Sequence, residues 1–228
     1  MITQDQVKEM LMLQEALEIR IDGEDWRKKG HNYGLCIFME CAEVIDYIGW
    51  KHWKKYDKEP KYNEIVGEIV DIWHFALANT LMAEDMSGID ERLYQNLMES
   101  MEAVNEFETD FPDRIIMIDT TVGMAASMIG QGVFPLPNFL LLCRYCDLSL
   151  DQLYRLYISK NVLNWFRQNN GYKTGEYARE WDGKDDNEHL YEIAESLIED
   201  DSFNSETLYK ALAVRYKLLT GAQAVFNA

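Results

Sequence analysis

The sequence predicts an all-α fold, a helical bundle. Three observations carry that expectation: apolar residues recur at spacings of three and four, no segment sustains a period of two, and Gly, Pro and Asp/Asn clusters cut the pattern into helix-length pieces. Met10, Leu11, Leu13, Leu17 and Ile19 mark a first helix. A second is expected from residue 33 to about 53 and a third from 62 to about 83, with Pro60 and its charged neighbours as the hinge of a helical hairpin. Another covers about 91–108. Phe111-Pro112-Asp113 starts the next, which runs to about Gly130. Gly130-Gln131-Gly132, followed by Pro135 and Pro137, reads as the clearest internal loop, and Ser149-Leu150-Asp151-Gln152 has the capping-box spacing that opens a helix. Residues from about 109 to 150 are therefore expected to form a mobile helical lobe on a rigid core of about 1–108 and 151–228. Two turns rich in Gly and Asp/Asn follow, at 168–175 and 182–187. A last amphipathic helix carries Leu208, Leu212, Tyr216 and Leu219 and stops at Gly221.

Composition excludes several classes. With 228 residues, 47% hydrophobic and 12% aromatic, the chain can bury a core. A formal charge of -18 argues against general nucleic-acid binding, which needs a basic field. The opening MITQDQVKEM lacks the basic start and apolar core of a signal peptide, and no apolar run reaches the length of a membrane span. A soluble, cytoplasmic protein is expected. Cys36, Cys41, Cys143 and Cys146 are too few for a disulfide scaffold, and the lone Cys143-Arg144-Tyr145-Cys146 step lacks the partner pair of a zinc site.

Glu40-Cys41-Ala42-Glu43 and Glu68-Ile69-Val70-Asp71 place two acidic pairs at helical i,i+3 spacing on either side of the hinge. Residues three apart on a helix lie about 5–6 Å from one another, so each pair can reach one ion. A single such pair is ordinarily the solvated edge of an amphipathic helix. Two pairs on neighbouring helices that are otherwise apolar point instead to a hard-cation site, and all-oxygen donors suit magnesium or manganese. Asp71-Ile72-Trp73-His74 is the one acid-x-x-His step, whereas a di-iron bundle needs two, so His74 is expected as a pocket residue or a satisfied core histidine.

A second constellation lies downstream. Lys160, Asn164 and Arg167 fall at i, i+4 and i+7 on one helical face, and Tyr172, Lys173, Arg179 and Asn187 follow in Gly-containing turns. This gathering can be read as an anion cradle, with Arg as a fork and Lys as a point charge, or as a mixed-charge surface helix, since Glu176, Glu180 and Asp182 are interleaved. Four acids and a triphosphate coexist only with divalent cations between them. Together the two constellations suggest metal-dependent nucleotide hydrolysis by activated water, without a P-loop motif in the chain.

Met39-Glu-Cys-Ala-Glu-Val-Ile-Asp46, Trp50-Lys-His-Trp-Lys54, Glu68-Ile-Val-Asp-Ile-Trp-His-Phe75 and the 160–187 stretch closely resemble the all-α, dimeric dUTPase family of kinetoplastids, some bacteria and phages. That family includes related phage dCTP/dUTP pyrophosphatases and is distantly akin to other all-α NTP pyrophosphatases. The resemblance implies hydrolysis of dUTP, and of dUDP, in a homodimer. It implies Glu40, Glu43, Glu68 and Asp71 as ligands of two or three Mg2+ ions, with Glu40 also orienting or deprotonating the water. It further implies Lys160, Asn164, Arg167, Tyr172, Lys173, Arg179 and Asn187 at the phosphates and sugar, and Gln14, His52, His74 and Phe75 around the nucleoside. Three positions depart from the family pattern: Glu18 stands in place of Asn, Arg179 in place of Lys, and Asp185 in place of Glu. Glu18 cannot donate as an amide does, which keeps dCTP or mixed dCTP/dUTP hydrolysis as an alternative. From another class, an idle nucleotide-binding or regulatory dimer would have no need of four converging acids.

Overall fold

The computed structural model describes residues 2–51, 53, 59–82, 86–106, 114–222 and 224–225. Its described residues are helical nearly throughout: α1 (Gln4–Asp22), α2 (Tyr33–Ile48), α3 (Tyr62–Thr80), α4 (Ile89–Asn105), α5 (Arg114–Gln131), α6 (Leu136–Tyr145), α7 (Leu150–Asn169), α8 (Asp186–Glu199) and α9 (Ser205–Thr220). A two-residue antiparallel hairpin, β1 (Glu180–Trp181) with β2 (Lys184–Asp185), precedes α8. The chain divides into two compact units, one of Met1–Gln14 with Arg27–Tyr154, the other of Glu15–Trp26 with Arg155–Ala228.

In the first unit α2 packs on α3 and on α5, and α6 packs on α3, α4 and α5. Ile37, Cys41, Val44 and Ile48 of α2 meet a core that includes Ile65, Ile69, Ile72 and Trp73 of α3, all fully buried. Trp73 stacks on Phe139 at 5.2 Å and donates its indole N–H to Met10 Sδ at 3.4 Å. The second helix ends at Ile48, short of the expected residue 53, because Gly49 adopts φ 83° and caps it, its N–H bonding the Ile45 carbonyl. Lys61 N then donates to Tyr47 O at 3.1 Å and closes the α2–α3 hairpin. The expected helix start at 111–113 lies outside the described residues. Pro135 and Pro137, read as loop, instead open α6: proline fits a first helical turn because its missing N–H would have no partner there.

The capping box of α7 forms as expected, Ser149 N meeting Gln152 Oε1 at 2.9 Å and Gln152 N meeting Ser149 Oγ at 3.2 Å. The second unit is built around Phe166, whose ring makes edge contacts with Tyr177, Trp181, Tyr209 and Tyr216 at 5.4 to 6.1 Å. Leu163, Leu190, Leu208 and Leu212 complete that core. Asp182 and Gly183 both have positive φ (49° and 78°) and join β1 to β2 as a two-residue turn of the type that matches strand twist. Asp185 follows as the N-cap of α8, a helix the sequence reading did not separate from the turn before it. No helix of the described residues is long and apolar enough to cross a membrane. The four cysteines are free thiols, with Cys41 and Cys143 buried.

Candidate active site

The buried positions of α2 and α3 include Ile37, Cys41 and Val44 on one helix and Ile65, Ile69 and Ile72 on the other, which sets Glu40, Glu68 and Asp71 at the half-buried margin of the hairpin. One carboxylate oxygen of each lies within 4.8 Å of the others. Glu43 is exposed one turn along α2 and is not in that group of three, though its charge reaches Glu40. The Glu40 carboxyl is pushed up to about 8, first by burial, then by a hydrogen bond with Glu68, then by the charges of Asp71, Glu68 and Glu43. Without a cation, the Glu40 carboxyl therefore holds on to its proton more strongly than an ordinary carboxyl. The donor chemistry fits a divalent cation, since a positive charge would replace that proton and the oxygens are hard ligands. Tyr47, one turn beyond Glu43, is raised by burial and then by Glu68 and Glu43.

The nucleoside candidates are placed unevenly. His74 is buried, and its Nδ1 lies 2.9 Å from the Val70 carbonyl, which fixes the ring along α3. Phe75 follows it and contacts Tyr33 at 6.4 Å. These two sit three and four residues after Asp71, on the turn of α3 next to the acids. Gln14 is buried on α1. His52 lies outside the described residues.

In the second unit, Arg167, Asn164, Tyr172, Arg179 and Asn187 gather around Asp185 and Asp186, where β2 passes into α8. Arg167 donates through Nε to Asp186 Oδ2 at 2.8 Å and through Nη2 to Oδ1 at 2.7 Å, while Nη1 reaches Asn164 Oδ1 at 3.1 Å. Burial works against its charge, but the hydrogen bonds and charge of Asp186 outweigh it and raise the guanidinium above its ordinary range. The Tyr172 ring lies under the guanidinium at 5.8 Å. Arg179 Nε bonds Asp185 Oδ2 at 3.1 Å. Asp185 Oδ1 also accepts from Asn187 N at 3.0 Å and from Asn187 Nδ2 at 2.7 Å, and the Asn187 Oδ1 is buried with no hydrogen-bond partner among the described residues. Lys173 turns to Asp22 at 3.1 Å and to the Ile21 carbonyl. Lys160 is buried two turns before Arg167 on α7.

A family profile described as dUTPase matches residues 6–172. The chain belongs to the dUTPase family. The matched segment runs from α1 through α7 and holds all four hairpin acids together with Lys160, Asn164, Arg167 and Tyr172. As a dUTPase the chain is an enzyme, a dUTP diphosphatase whose substrate is a nucleotide, and dUTPases generally use a divalent metal. Among the described residues, the convergent Glu40, Glu68 and Asp71 are the acidic group that could hold one. Among curated proteins, none matches the chain. Asp186 was missed in the sequence because it stands 19 residues from Arg167, at a spacing no helical periodicity links.

Proposed function

We propose that the chain hydrolyses dUTP, and dUDP, in a magnesium-dependent reaction that splits the phosphate chain with one water molecule, giving dUMP and pyrophosphate from dUTP, or dUMP and phosphate from dUDP. The convergence of Glu40, Glu68 and Asp71 is the observation that carries it. Two or three Mg2+ ions, with Mn2+ able to substitute, are proposed there, with Glu43 joining as a fourth ligand. Bound, the cation supplies neutralising charge and Lewis acidity toward phosphate oxygens. Glu40, whose carboxyl is pushed up by burial and by the neighbouring acids, orients the attacking water and takes its proton.

Arg167, held side-on by Asp186, uses three of its five N–H groups internally and keeps two for a phosphate oxygen. Lys160, Asn164, Tyr172, Lys173, Arg179 and Asn187 are assigned to the phosphates and sugar, the Asn187 Oδ1 suiting a sugar hydroxyl as donor. Gln14, His52, His74 and Phe75 are assigned to the nucleoside. A homodimer is proposed as well, because α2 leaves Leu35, Phe38 and Met39 exposed and α5, packed on it, leaves Val122 and Ile129 exposed.

The test is pyrophosphate release from dUTP, dCTP, dTTP and UTP, each with magnesium and with EDTA. Release from dUTP that EDTA abolishes supports the reading. Preference for dCTP would keep the metal chemistry and reassign the base, and release undiminished by EDTA would overturn the metal role.

A further inference from the structure

We propose that Asp186 is a positioning residue of the hydrolase: it clamps Arg167 side-on at the end of α7, so that the remaining edge of the guanidinium is presented, already oriented, to the phosphates. This rests on the assignment of Arg167 to the phosphates given above.

The Asp186 side chain is fully buried at the first residue of α8, and it accepts three hydrogen bonds, two from Arg167 and one from the Tyr177 hydroxyl at 2.8 Å. An ion pair this deep in a protein is weak evidence for stability, because desolvating both charges offsets most of their attraction and a well-packed apolar pair serves as well. What such a pair does supply is direction. The fork of Arg167 is fixed at Nε and Nη2 by the carboxylate, at Nη1 by Asn164, and on one face by the Tyr172 ring. A long side chain with several rotatable bonds thus enters binding with its orientation set, and the ordering cost is met in folding.

The base of the β-hairpin carries the other candidates. The Asp186 N–H bonds the Arg179 carbonyl at 3.0 Å, Arg179 Nε lies 4.0 Å from Asp186 Oδ1, and Asn187 is the next residue. Asp186 therefore joins α7 to the base of the β1–β2 hairpin, where Arg179 precedes β1 and Asn187 follows β2 in α8. Helix α8 favours the carboxylate at this end, where its first N–H groups point.

The experiment compares Arg167→Met and Asp186→Asn with the wild type. It reads kcat and KM for dUTP, and inhibition by deoxyuridine, which has no phosphate. Circular dichroism and melting establish folding. Asp186→Asn keeps the shape but turns an amide toward the Arg167 donors. It should raise KM for dUTP about 10–100-fold, as Arg167→Met does, with deoxyuridine inhibition unchanged. A raised KM in Arg167→Met beside a normal one in Asp186→Asn would overturn the proposal while leaving Arg167 at the phosphates. A normal KM in Arg167→Met would overturn the phosphate assignment itself, and the proposal with it. Equal weakening of dUTP and deoxyuridine would make the pair merely structural. Should Asp186→Asn not fold, Tyr177→Phe removes one hydrogen bond to the same carboxylate; a raised KM with unchanged deoxyuridine inhibition supports the proposal, and an unchanged KM overturns it.

Discussion

Glu40 of α2 and Glu68 of α3 meet across the hairpin, and their hydrogen bond, together with burial, raises the affinity of Glu40 for a proton that a cation would displace. This single relationship makes metal binding, proton release and the stability of the hairpin one linked equilibrium.

The pH dependence follows with a definite sign. Glu40 rises from an ordinary 4.5 to about 8, so across that interval the folded metal-free chain holds a proton that the unfolded chain has lost. Stability without metal therefore falls as pH rises through the interval, and no contribution changes below it. Melting at about pH 6 and about pH 8, with magnesium and with EDTA, should show a wider gap between the two at the higher pH. In EDTA, Glu40→Gln should flatten the dependence; an equal gap at both pH values would count against the raised proton affinity of Glu40.

Glu40→Gln also separates chemistry from binding. The amide cannot accept the proton of the water, so turnover should drop by about 10²–10⁴-fold, while calorimetric titration with dUTP still shows binding through the remaining groups. Turnover within about twofold of the wild type would remove Glu40 from the base role.

Gly171 is a backbone requirement of the turn that follows α7. It has φ +87°, and a Cβ there would lie 2.8 Å from Glu176 Cβ. Gly171→Ala should cost about 1–3 kcal/mol in denaturant unfolding, because both the backbone and its neighbour must shift. A loss below about 0.5 kcal/mol would mean that the turn relaxes freely.

Phe166→Ala should cost about 3–5 kcal/mol, since the ring is wholly buried and touches four other aromatic rings. Equilibrium unfolding measures this, and a cost near that of a surface change would contradict the central place of the ring.

Of the four hairpin acids, Glu40, Glu68 and Asp71 were legible in the sequence because i,i+3 spacing and apolar neighbours are local signals, and they converge, whereas Glu43 stays exposed outside the group. The capping box at Ser149 and the turn at Asp182-Gly183 were legible for the same reason. Helix α6 was not, because Pro135 and Pro137 mark a helix start and a loop alike until the residues behind them are seen packed. Helix α8 was hidden by a cap whose Asp and Asn residues also suit turns. The clamp on Arg167 comes from a residue across a hairpin, and only the folded backbone brings the two together.

The ring cluster around Phe166 has a practical consequence for how this enzyme can be divided. The segment matched by the family profile ends at residue 172, yet Tyr177, Trp181, Tyr209 and Tyr216 all lie after it. Cutting the chain there would uncover Phe166 and Leu163 to water and leave Arg167 without its carboxylate, so the recognisable part of the sequence is not a portable module and the last quarter of the chain is its indispensable scaffold.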